Sequence, residues 1–223
     1  MHANTKEINK KGLRYPRGMN YGLFKILKEG KWDSYDAFFL LTNDTELDEK
    51  NTLSRLVSVL EKHERVGILS PCSRTWGERF LIPDRGTKYF WYIHNNAYLI
   101  RRSFIDEIID KKSKSYKQFL FDGSNFRGYL VEVELISKAY INNWAAAITT
   151  KVFSEEDESY LLDKSQLIKT ESYEENIQLY VEEGLKWIKK KYGFNSRWQM
   201  MQYSKLFYEK FFEYFPEEII NKI

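Results

Sequence analysis

Asp36 to Thr42 reads DAFFLLT, and the next four residues, Asn43-Asp44-Thr45-Glu46, are polar. A short apolar run closed by such a turn predicts a strand buried on both faces. Working outward, Leu53, Leu56, Val57 and Leu60 recur at three- and four-residue steps. That spacing makes one helical face and predicts a helix over roughly residues 49–63. Arg65 to Ser70, RVGILS, gives a second buried strand, ended by Pro71. Strand, helix and strand over this length form a βαβ unit. The predicted fold class is therefore α/β, with a mainly parallel central sheet flanked by helices.

Further out, residues 1–12 are polar and predicted to fray. Leu23, Phe24, Ile26 and Leu27 suggest a short helix stopped near Gly30, preceded by a loop, Arg17-Gly18-Met19-Asn20-Tyr21-Gly22. Residues 73–88 carry Gly77, Pro83 and Gly86 and read as a loop, and 89–100 as one or two aromatic-rich strands. Ser103 is placed as the cap of a short helix to Asp110. FDGSNFRG, Phe121 to Gly128, reads as a loop before a helix over 131–142; a strand follows over 144–150, and the acidic segment SEEDE, Ser154 to Glu158, reads as exposed. From Tyr173 the pattern turns helical, with a stripe of Ile177, Val181, Leu185, Ile188 and Tyr192 ended by Gly193 as the C′ residue. A last helix is predicted over 197–214, stopped by Pro216. Residues 1–160 are thus assigned to the α/β domain and 161–223 to a C-terminal helical extension.

The 223 residues suffice for a sizeable core. A net charge of +3, from 35 basic and 32 acidic residues, argues against a dedicated nucleic-acid binder. Cys72 is the one cysteine, so no disulfide can form within the chain, and a reducing, cytoplasmic location is expected. No apolar run has the length of a membrane span, and the N-terminus lacks a signal-peptide core. The lysines Lys189-Lys190-Lys191 and the aromatics Phe207, Tyr208, Phe211, Phe212, Tyr214 and Phe215 allow peripheral membrane contact through the C-terminal helices. Packing of the aromatics onto the domain, with solvated lysines, is the preferred reading.

Several residues carry candidate chemistry. Asp44 sits at the carboxyl end of a buried strand, where α/β sheets bind ligands, and its carboxylate could hold a divalent cation beside a diphosphate. The competing reading of Asn43-Asp44-Thr45 is an ordinary turn. Arg17 and Asn20 lie in a glycine-flanked stretch open to a phosphate or a base, or simply in a loop leading into a helix. Glu132 and Glu134 open the helix after FDGSNFRG. Glu134 reads as a surface i,i+4 partner of Lys138. Glu132 is either a first-turn charge or a base for an acceptor hydroxyl. Asp122, Asn125 and Arg127 line an acceptor pocket or supply turn chemistry. His94 in His94-Asn95-Asn96 has no paired histidine and reads as structural.

Taken together, RYPRGMNYG, YDAFFLLTNDTEL, GILSP, NNAYLIRRSFIDEI and FRGYLVEVELISKAYINNW resemble, in order and spacing, family 2 glycosyltransferases of the GT-A fold, from about Arg14 to Tyr160. The resemblance implies that Arg17, Asn20, Asn43 and Asp44 bind the donor. It makes Asn43-Asp44-Thr45 the DxD-like turn that holds Mn2+ or Mg2+, with Asp44 as metal ligand. It makes Glu132 the catalytic base and the Asp122, Asn125 and Arg127 loop the acceptor site. The implied reaction is metal-assisted, inverting transfer of a sugar from a nucleotide-sugar donor to a hydroxyl of a glycan or lipid-linked glycan.

Three departures accompany it. The two nucleobase-binding strands of the family have no counterpart before Arg14, Glu replaces the usual Asp at the base position, and no His follows the last strand near Ser154. An alternative reading is a non-catalytic, truncated GT-A-like domain serving as a binding or interaction module.

Overall fold

A computed structural model of the chain describes residues 12–47, 50–75, 77–82, 86–94, 96–157 and 172–223. The elements in order are α1 (Arg14–Lys28), β1 (Ala37–Leu41), β2 (Thr45–Leu47), α2 (Thr52–Lys62), β3 (Val66–Cys72), α3 (Glu78–Leu81), β4 (Thr87–Tyr89), β5 (Ala97–Arg101), α4 (Arg102–Ile108), α5 (Val131–Ile141), β6 (Ala145–Glu156), α6 (Tyr173–Tyr192) and α7 (Arg197–Tyr214). Short 3-10 turns cover Trp32–Ser34 and Pro216–Asn221. The predicted fraying of residues 1–12 falls almost wholly outside the described residues.

The α/β class holds, but the sheet is mixed rather than mainly parallel. Its order is β1-β5-β3-β6-β2, with β4 also on β6. Among the described strands only β3 and β6 pair in parallel; β1–β5, β3–β5, β4–β6 and β2–β6 are antiparallel. The predicted βαβ unit exists as β1-α2-β3, and its two strands do run the same way. However, β5 is inserted between them, antiparallel to both, so they share no hydrogen bonds. Consequently β1 is an edge strand among the described residues. It buries one face, through Phe38 and Leu40, while Leu41 is exposed, so burial on both faces does not hold. By contrast every residue of β3 is buried. That strand runs past Ser70 through Pro71 to Cys72. Proline is tolerated there because the register against β6 is irregular between Pro71 and Cys72.

Local boundaries shift for physical reasons. The predicted loop at 17–22 lies inside α1. Pro16 falls in the first turn, where its missing N–H costs nothing, and Leu23 and Phe24 supply the buried face. Ser103 lies within α4, whose N-cap is Arg101. SEEDE begins inside β6, where Ser154 is buried, because Leu47, Glu46 and Thr45 pair with Ser154, Glu155 and Glu156.

The C-terminal helices are continuous with the core. Tyr208, Phe211 and Phe212 of α7 share the main hydrophobic cluster with Tyr89, Tyr140 and Ile148. Tyr140 meets Tyr208 and Phe211 edge-on at 5.5 Å. Trp187 and Ile188 of α6 pack on Leu130 and Val133. Ser172 and Glu175 close α6 with a capping box, and Gly193 ends it in the left-handed conformation. Ile177, expected on its buried stripe, is exposed, because the contact face is Gly184, Trp187 and Ile188. Gly184 is required there. A Cβ on it would sit 2.5 Å from Tyr129 Cβ, so only glycine lets α6 approach this closely. Among the described residues, no helix is long and apolar enough to cross a membrane.

Candidate functional site

β1, β3 and β6 point in one direction, so their carboxyl ends share one end of the sheet. The turn at Asn43 and Asp44 leaves β1 there. Thr45 N–H donates to Thr42 O at 3.3 Å, and the two threonine hydroxyls meet at 2.8 Å. Asn96 O anchors the turn by accepting from Thr42 N–H at 2.9 Å and from Thr45 Oγ1 at 2.8 Å. Asp157 N–H donates to Asp44 O at 2.8 Å, tying the turn to the end of β6. The hydrogen bonds that shape the turn thus use backbone and threonine oxygens and leave the Asp44 carboxylate out. Its Oδ1 is buried and has no hydrogen-bond partner among the described residues. Asn43 is exposed beside it.

The loop after β3 meets the same end. Glu155 accepts from Arg74 N–H, from Ser73 Oγ at 2.9 Å and from Thr75 Oγ1 at 3.0 Å. Ser154 Oγ donates to Asn96 Oδ1 at 3.4 Å. These bonds tie the loop after β3 and Asn96 to the end of β6.

Glu132 comes from the first turn of α5. The short connection 142–144 turns α5 back against β6, so the first turn of α5 lies toward the carboxyl end of that strand. Leu130, just before the helix, is buried with φ 70°. This left-handed backbone is costly for leucine and is held by the packing around it. The Glu132 side chain is 5% exposed, and its Oε2 has no hydrogen-bond partner among the described residues. Burial pushes its carboxyl up to about 7, slightly offset by a hydrogen bond from its own backbone. The Tyr15 hydroxyl, also buried and unpartnered among the described residues, is raised first by burial and then by the nearby Glu132 charge. Tyr180 of α6 is likewise raised by burial, with Glu132 next and Tyr92, Tyr129 and Glu156 behind. Tyr180 therefore lies within electrostatic reach of both Glu132 and the strand segment that pairs with Thr45.

The structure gives the remaining predicted residues mainly bracing roles. Asn20 is fully buried: Oδ1 accepts from Leu120 N–H at 3.0 Å and Phe121 N–H at 2.8 Å, and Nδ2 donates to Phe121 O at 2.7 Å and Lys117 O at 3.4 Å. No donor or acceptor remains on its amide for a nucleotide. Arg17 Nε donates to Gly123 O at 2.8 Å, and its guanidinium lies 5.0 Å from the Phe126 ring centroid.

Asn125 folds its own loop, accepting from Gly128 N–H at 3.0 Å and donating to Tyr129 O at 2.8 Å. Arg127 pairs with Glu183 and donates to Asn176 Oδ1, both on α6. Asp122 accepts from Trp187 Nε1 at 3.1 Å and Lys191 Nζ at 2.7 Å. Burial of Asp122 opposes ionisation, but hydrogen bonds from Lys191, Ser124 and Trp187 outweigh it and hold the carboxyl well below the usual range. The predicted acceptor loop is thus the seat of α6. Glu134 pairs with Lys138 at 3.5 Å as expected, but it is buried rather than on the surface, because α6 covers it and Lys191, at 2.6 Å, and Tyr192 Oη also bind its carboxylate.

Sequence reasoning passed over Tyr15 and Tyr180. A tyrosine in a helix carries no positional signal until the fold brings it beside a carboxylate. Among the described residues no group of three or more His, Cys, Asp or Glu side chains is arranged to hold a metal. A groove of about 320 Å³ lined by Arg55, Ser58, Val59 and Lys151 contains none of the predicted residues.

Fold and site together define an α/β protein with a mixed sheet in which, among the described residues, Asp44, Glu132 and Glu183 each bury a carboxylate oxygen without a hydrogen-bond partner, Glu183 holding Arg127 with its other oxygen. Comparison with protein-family models, curated proteins and solved structures found no match.

Proposed function

We propose that the chain is the catalytic part of a nucleotide-sugar-dependent glycosyltransferase acting on a hydroxyl of a glycan or lipid-linked glycan. The observation that carries this reading is the stranded oxygen on both Asp44 and Glu132. Asp44 leaves the carboxyl end of β1 with Oδ1 buried and unpartnered, and Glu132 opens α5 with Oε2 in the same condition. A buried polar atom left without a partner is costly in a finished fold, and such atoms recur where a ligand supplies the missing contact.

Asp44 fits a hard divalent cation, for which one carboxylate plus phosphate oxygens and water is an ordinary ligand set. When bound, Mn2+ or Mg2+ would neutralise the departing diphosphate. Glu132 acts on the acceptor. Its Oε2 takes the hydroxyl proton as the acceptor oxygen bonds to the sugar's anomeric carbon. The bond to the diphosphate breaks, and the nucleoside diphosphate leaves with the electron pair. A carboxyl raised to about 7 by burial is matched to general-base work near neutrality. Arg17 and Asn20 contribute by positioning the 117–123 loop, Asn125 by folding the 125–129 loop, and Asp122 and Arg127 by seating α6.

The enclosure of Glu132 favours a second reading, in which the domain binds a donor without turnover. Release of nucleoside diphosphate from a panel of nucleotide sugars, with Mn2+ and mixed glycan acceptors, separates the two. The enzyme reading expects release that falls more than about a hundredfold in Asp44→Ala and in Glu132→Gln. Release equal to wild type in both variants would refute it.

A further inference from the structure

From Lys186 to Tyr208 the chain contains no Asp or Glu, yet it carries Lys186, Lys189, Lys190, Lys191, Arg197 and Lys205. Those six charges exceed the net +3 of the whole chain, so the remainder is net −3. This segment is the end of α6, the turn 193–196 and the first half of α7. Two of its cations are neutralised locally: Lys186 by Glu182 at 3.5 Å, and Lys191 by Asp122 and Glu134. Lys189 and Lys190 are exposed and pair with no acid among the described residues, and Arg197 likewise.

Arg197 lies 4.6 Å from the centroid of the Trp198 ring, which is 58% exposed. Leu206, about two turns further along α7, is 55% exposed. The turn itself is held rigid. Tyr192, Phe194 and Tyr203 form an aromatic cluster with centroids 5.6–5.7 Å apart, and Ser196 caps α7.

We propose that the α6–α7 turn docks the protein onto an anionic phospholipid membrane. Lys189, Lys190 and Arg197 meet lipid phosphates, and Trp198 and Leu206 enter the interface. The charge pattern selects an anionic surface, because juxtamembrane cations are drawn to acidic lipid head groups. The apolar component selects a membrane over another polyanion. Tryptophan is favoured at the lipid–water boundary, where its ring is buried and its N–H stays wet, and a half-exposed leucine gains nothing from a nucleic-acid backbone. The core-facing aromatics Tyr208, Phe211 and Phe212 take no part. This inference does not rest on Asp44 or Glu132.

The test is sedimentation of the full chain with vesicles of phosphatidylcholine alone and of phosphatidylcholine with phosphatidylglycerol, at low and at physiological salt. Binding to the anionic vesicles only is expected. The double variant Lys189→Glu/Lys190→Glu should lower partitioning at least about tenfold, and Trp198→Ala should lower it severalfold at both salt concentrations. All three positions are exposed, and unchanged far-UV circular dichroism verifies the fold of each variant. Any of three results would overturn the proposal: no binding to anionic vesicles, equal binding to neutral ones, or a short DNA duplex that displaces the vesicles and binds Trp198→Ala as well as wild type. Donor binding measured in the same variants stays at wild-type level, so failure here is distinct from failure of the enzyme reading.

Discussion

Replacing Glu132 with Gln tests the central carboxylate through stability alone, without a substrate. Burial raises this group from an ordinary 4.5 to about 7. Below pH 4.5 it is neutral in both the folded and the unfolded chain. Between 4.5 and 7 the unfolded chain releases the proton first, so stability falls as pH rises, and above 7 the full cost persists. A rise of that size corresponds to about 3 kcal/mol. Glutamine keeps the shape and cannot ionise, so Glu132→Gln should gain on wild type by about 3 kcal/mol between pH 4.5 and pH 8. For a domain of this size that is a Tm difference growing by roughly 6–12 °C. Thermal or urea unfolding of both proteins at four or five pH values reads it directly. A stability difference that stays constant across this range would mean that Glu132 ionises freely in the folded protein, and the burial argument would fail.

Other substitutions probe the frame of the site. Asn20→Ala strands the backbone groups of Leu120 and Phe121 and should cost about 2–3 kcal/mol in urea unfolding. Gly184→Ala should destabilise by about 1–3 kcal/mol although alanine favours helix, because the added methyl meets Tyr129; equilibrium unfolding gives the sign. Asp122→Ala should cost about 2 kcal/mol and speed hydrogen exchange along α6. In wild type the stability from this carboxylate is present above pH 3.8 and is lost as pH falls through its depressed folded value.

The sequence makes the layers legible and leaves their order hidden. The runs around Phe38 and Ile68 and the periodicities around Leu56 and Ile188 predict elements that the structure contains. Pairing is another matter. β5 enters between β1 and β3 from a segment roughly thirty residues beyond them, and no local pattern announces that insertion. Gly18 and Gly22 suggest a loop at 17–22, yet burial of Asn20, Leu23 and Phe24 stabilises a helix there. At the site, the residue types were readable and their employment was not. Asp122, Asn125 and Arg127 look like ligands in sequence because polar loop residues do. Asp122 and Arg127 prove to hold a helix roughly fifty to sixty-five residues downstream, and Asn125 to fold the loop itself. Asp44 and Glu132 differ from them in one physical respect, a buried oxygen with nothing to bind.

Calorimetric titration of the chain with a panel of nucleoside diphosphates, with and without Mn2+, tests that oxygen on Asp44 most directly. Binding that needs the metal in wild type and disappears in Asp44→Asn is the predicted result. Binding that is indifferent to the metal, or that survives unchanged in Asp44→Asn, would contradict the account.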